Sequence, residues 1–184
     1  MKKIYILTIL LIPLCIYIYL IRYDIYSIYK LHNCIVWNDN TEVVINDFEM
    51  QPDLKSSINL NFWHGISLTP SGFGDANAVA FFDKSKSWTK DTTKYDYKME
   101  LKLQKLSFDL NEVYARKINN KIKAVKYANY GNEVPYEKLE KECFIIYKKY
   151  EKENYEMLNE KEKSIHEIIT YWRPIVDNML KNKE

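Results

Sequence analysis

Histidine is scarce in this sequence: His32, His64 and His166 are the whole supply in 184 residues. No two of them stand at the spacing of a zinc-binding pair, so a histidine-built metal centre is excluded at the level of spacing. Isolated histidines of this kind are more often surface or hydrogen-bonded core residues than ligands. Cysteine is equally sparse. Cys15, Cys34 and Cys143 leave room for one bridge, between Cys34 and Cys143, or for two buried free thiols. Net charge is +2, and no long basic run occurs outside mixed-sign segments. That excludes the phosphate-neutralising patch a nucleic-acid binder needs. No serine sits in a G-x-S-x-G elbow, so a serine nucleophile of that type is unsupported. There is no internal repeat or low-complexity tract, and the length suits one domain.

What is present begins with MKKIYILTILLIPLCIYIYLIRYD. Ile4 to Ile21 carries no charge, and a run of that length lies at the short end of what spans a bilayer. Tyr5, Tyr17, Tyr19 and Tyr23 would mark the interfaces. No small-x-small site follows the apolar run, and IPLC makes a poor lipidation signal, so the reading is an uncleaved anchor over residues 1–23. Lys2 and Lys3 outweigh Arg22, which puts the N-terminus in the cytoplasm and the remainder across the membrane. Residues 24–33, with His32, then form a stalk, and residues 34–184 form the exported domain.

In that domain NCIVWND (33–39) and TEVVIND (41–47) are β-prone. QPDLKSS (51–57) is a loop. INLNFWHGISL (58–68) predicts a strand broken near Gly65, TPSGFGD (69–75) a turn, and ANAVAFFDKSKSW (76–88) another strand. From about Asp96 the period changes. Met99, Leu103, Leu106, Leu110, Val113, Ile118 and Ile122 make one buried helical stripe, interrupted at Tyr127–Gly131. Pro135 suits the first turn of a second helix, whose stripe runs on to Leu180 with a break near Asn159 and a kink at Pro174. Sheet first and amphipathic helices after predict an α+β fold, a small mixed sheet followed by long helices that cover one face.

Three fragments fall at informative offsets: KSKSW at 84–88, LQKLSFD at 103–109 and EVYAR at 112–116, with YEKENYEM at 150–157 and Trp172 downstream. Together they resemble the bacterial DUF922 family of secreted zinc-dependent proteases. The hallmark of that family is a Ser-Trp segment, then a helix reading H-E-Q-x-H-F-D and E-x-x-A-R, then Y-D-K-E-T-x-H-G. The resemblance implies a zincin-like domain and names the positions where chemistry would sit. All of those positions depart from the pattern. Leu103 and Ser107 stand at the two histidine positions, Gln104 at the glutamate position and Glu156 at the third ligand position. Residues 103 and 107 share a helix face, but leucine has no lone pair, serine is a poor zinc ligand and glutamine cannot act as a base.

The sequence therefore reads as a degenerate member with no catalytic residue, no metal and no cofactor. Trp63, Trp88, Asp109, Glu112, Arg116 and Trp172 are the residues retained for scaffold or binding. Asp109, Glu112 and Arg116 are expected to form a polar network, Trp88 and Trp172 to pack in the core, and Trp63 to be an exposed contact residue. The functional expectation is a catalytically inactive, protease-like binding or scaffolding module. It would be anchored in the bacterial inner membrane through residues 4–21, on the periplasmic side, with a protein partner and no nucleic acid. A structural subunit of a membrane assembly, an immunity or inhibitor protein, and an active zinc peptidase are the alternatives.

Overall fold

The computed structural model describes residues 2–71, 75–93, 96–129, 134–160 and 162–182, with the side chains at 2–10, 20, 23, 24, 70, 71, 75 and 136 set aside. Helix α1 spans Lys2–Leu31 and leads into a short strand, β1 (Cys34–Val36). The strands β2 (Leu60–Asn61), β3 (His64–Ser71), β4 (Asp75–Asp83) and β5 (Trp88–Thr89) follow. Three helices close the chain: α2 (Lys98–Ala128), α3 (Tyr136–Leu158) and α4 (Ile165–Lys181).

Strand β4 is the axis of the main sheet, antiparallel to β1 on one side and to β3 on the other. Its inward residues Ala76, Ala78, Ala80 and Phe82 are all buried, the period-2 pattern of a strand with one covered face. The alanines let α2 lie close on the sheet. β1 pairs only with Phe81–Asp83, and Asn119 of α2 fills the backbone gap further along. Its Oδ1 accepts from the Ala78 N–H at 2.7 Å and its Nδ2 donates to the Ala78 carbonyl at 2.8 Å. One side chain thus satisfies two strand groups that have no neighbouring strand there.

Helix α2 carries a long buried stripe, including Leu106, Leu110, Val113, Tyr114, Ile118 and Ile122. It packs against β4 and β3 on one side and against α3 and α4 on the other. The Asp96 carboxylate accepts from the Lys98 N–H at 3.0 Å where the helix starts. Helix α4 begins with a capping box: Ser164 Oγ accepts from the Glu167 N–H, and the Glu167 carboxylate accepts from the Ser164 N–H at 2.8 Å.

The α+β order with long C-terminal helices is therefore observed, and several details differ from the sequence reading. TEVVIND forms no strand; a 3-10 turn occupies Ile45–Asp47, where the Asp47 side chain turns back to the Val44 N–H at 2.8 Å. The break in INLNFWHGISL falls at Phe62–Trp63, and Gly65 lies inside β3 facing the Phe81 ring. The break near Asn159 is present, whereas Pro174 sits inside α4. Residues 72–74 of the expected turn and 130–131 of the expected interruption lie outside the described residues. Cys15, Cys34 and Cys143 are all free thiols.

The membrane anchor is overturned. Among the described residues no helix is long and apolar enough to cross a membrane. The expected stalk is simply the end of α1. The side chains of residues 4–10 and 20, and of the expected interface markers Tyr5 and Tyr23, lie outside the described residues. The bilayer contact through residues 4–21, the single-pass inner-membrane topology and the periplasmic placement fall with the anchor. So does the picture of a module meeting a protein partner at the membrane.

Candidate functional site

The helix face at 103 and 107 is where the sequence places a dismantled metal centre. In the fold that face is closed. Leu103 is 7% exposed and packs in a cluster with Leu106, Leu110, Tyr150 and Met157. Ser107 is 0% exposed. Glu156 does not face either residue; it is exposed on α3, 3.8 Å from Lys152 one turn earlier. The α3 residue that reaches the helix is Asn154, two positions before it.

Around Ser107 a chain of neutral polar groups runs from α2 through β3 to α3. The Asn111 amide donates to Nδ1 of His64 at 2.7 Å. The other ring nitrogen, Nε2, lies 3.3 Å from Ser107 Oγ. The Ser107 hydroxyl in turn donates a short hydrogen bond to Asn154 Oδ1. Burial lowers the His64 pKa to about 4, outweighing the opposing bonds from Asn111 and Gln104. By surface area His64 keeps a partial opening, but its two ring nitrogens meet protein groups, so the ring is neutral near pH 7.

Ser107, His64 and Asn111 stand in the order of a nucleophile, a base and an orienting group. The serine hydrogen, however, is given to Asn154 rather than to the imidazole. Asn111 Oδ1 remains buried without a hydrogen-bond partner, a polar cost carried by this core.

The retained acidic and basic residues form a second network at the far face of α2. Asp109 accepts from the Trp37 indole N–H at 2.8 Å and from Arg173 of α4 at 2.7 Å. Glu112 and Arg116 pair at 2.8 Å. Arg116 also donates to the Leu180 carbonyl at 2.9 Å, and its guanidinium lies over the Trp37 ring. Burial raises the Glu112 pKa although Arg116 opposes it. Asp109 and the Glu112–Arg116 pair meet through Trp37, whose indole N–H donates to Asp109 and whose ring lies under Arg116.

The Ser-Trp pair is architectural as well. Ser87 Oγ accepts from the Trp63 N–H at 2.9 Å and donates to the Asp83 carbonyl at 2.7 Å, tying the start of β3 to the end of β4. Trp88 is buried in β5 and Trp172 is half-buried on α4. Trp63 is 49% exposed, with Lys86 near its ring.

His64, Asn111, Asn154, Trp37 and Arg173 were not singled out by sequence. Asn111 carried a signal, since it continues the 103–107 spacing as a polar residue in a buried stripe. The others come together through sequence separations that no local pattern reports. Among the described residues no group of three or more His, Cys, Asp or Glu side chains could hold a metal ion. No family model matches the chain, and no curated protein or solved structure matches it either.

Proposed function

We propose that this chain is a non-catalytic domain, a pseudoenzyme of the DUF922 type in which the helix that would carry a metal centre has become structural core. The observation that supports the reading most directly is the state of His64. It is the one imidazole beside the helix, and both of its ring nitrogens are engaged by neutral side chains, Asn111 and Ser107. The groups a zinc peptidase needs are ligands with free lone pairs and a carboxylate base beside a metal-bound water. Leu103 is buried apolar packing, Gln104 is a neutral amide and Glu156 is exposed on α3 beside Lys152.

The retained fragments fit the same reading, because each has a packing or hydrogen-bonding role that needs no substrate. Ser87 ties two strands, and Asp109 and Arg116 tie α4 and the segment after β1 to α2. The test is metal content. The full chain is equilibrated with zinc, desalted and measured by elemental analysis, alongside a peptidase assay with and without added zinc. The expected result is well below one zinc per chain and no cleavage above background. One zinc per chain, removed by His64→Ala, would overturn the proposal.

A further inference from the structure

A groove of about 460 Å³ lies between the Val43–Asn46 segment and the first two turns of α2. That volume falls within the range of small-molecule sites. Its wall is divided by chemistry. Val44, Ile45, Tyr97 and Leu101 supply an apolar side, and Val44 is 43% exposed there. Lys98, Lys102 and Lys105 line the other side. Their spacing of four and three residues puts them on one face of α2, over roughly 10 Å of helix.

Several lysines elsewhere on the helices are paired: Lys121 with Glu142, Lys148 with Glu151, Lys152 with Glu156. Among the described residues Lys98, Lys102 and Lys105 make no ion pair. Glu42 is the one carboxylate on the groove wall, so three cations face one anion beside exposed apolar surface. An apolar ligand alone would leave the ammonium groups uncompensated, and a bare anion would leave Val44 and Ile45 in water.

We propose that this groove binds a small amphiphilic anion, its head group on the three lysines and its hydrocarbon body against Val44, Ile45, Tyr97 and Leu101. The proposal is independent of whether the domain is catalytic. Recognition is electrostatic at the head and hydrophobic along the body, so binding needs both parts in one molecule and weakens with salt.

The experiment is calorimetric titration of the full chain with decanoate below its micellar concentration. Glutarate, a carboxylate without the body, and decyltrimethylammonium, the body with the opposite charge, are the comparisons. Decanoate is expected to bind saturably, and each comparison at least tenfold more weakly. The Lys98→Glu/Lys102→Glu variant, with its fold checked by circular dichroism, is expected to lose at least tenfold in decanoate affinity. If that variant does not fold, Lys102→Gln is expected to lose several-fold. Equal binding of decanoate and decyltrimethylammonium would overturn the proposal. So would undiminished binding by a folded variant, or no decanoate binding.

Discussion

His64 concentrates the chemistry of this protein at the scale of one residue. Its folded pKa of about 4 lies below the unfolded value of about 6.5. Between those values the unfolded chain binds more protons than the folded one, so stability falls as the pH drops from about 6.5 to 4 and is insensitive to this group above that window. The full difference amounts to at most about 3 kcal/mol. Chemical denaturation at a series of pH values checks this. The His64→Gln variant is expected to show a flatter profile across the same window, because glutamine keeps a neutral polar group there and does not titrate. A profile as steep as that of the original chain would place the acid sensitivity in carboxylates instead.

At the scale of elements, the polar network on the far face of α2 acts as a clasp. Asp109 accepts from Trp37, just after β1, and from Arg173 in α4, two segments far apart in sequence. Hydrogen bonds to charged groups contribute about 1.5–3 kcal/mol each when partly protected. Asp109→Ala is therefore expected to lower stability by about 2 kcal/mol. A double-mutant cycle with Arg173→Ala should give a coupling of about 1 kcal/mol. Additive losses in urea denaturation would mean that the two side chains are neighbours without being partners. The Glu112–Arg116 pair reaches beyond its own helix because Arg116 also donates to the Leu180 carbonyl at the end of α4.

For the whole molecule, α2 is the element that every layer shares, touching both long strands and both later helices. Destabilising its centre should therefore unfold the sheet and the helices together. Leu106 is fully buried, and Leu106→Ala is expected to cost about 2–5 kcal/mol through lost burial and the cavity left behind. Tryptophan fluorescence, with Trp88 in the small sheet and Trp172 on α4, should give the same urea midpoint as far-UV circular dichroism. Two separate midpoints would mean that the helices and the sheet unfold independently.

The sequence by itself determined the α+β order and the long C-terminal helices, because period and punctuation are local properties. The stripe from Leu103 to Ile122, the break at Asn159 and the alternation through Ala76–Phe82 are written in neighbouring residues, and the fold carries them unchanged. It also determined that Leu103, Gln104 and Ser107 offer neither good zinc ligands nor a carboxylate base, since that depends on side-chain identity alone. Only the tertiary structure decided what surrounds them. Asn154 reaches Ser107, and Glu156 does not, because of how α3 is rotated against α2; His64 arrives from a strand 43 residues away from Ser107. The anchor is overturned on a different ground: among the described residues no helix is both long and apolar enough to cross a membrane. Packing between distant segments sets which polar atoms are buried together, and no local period encodes that.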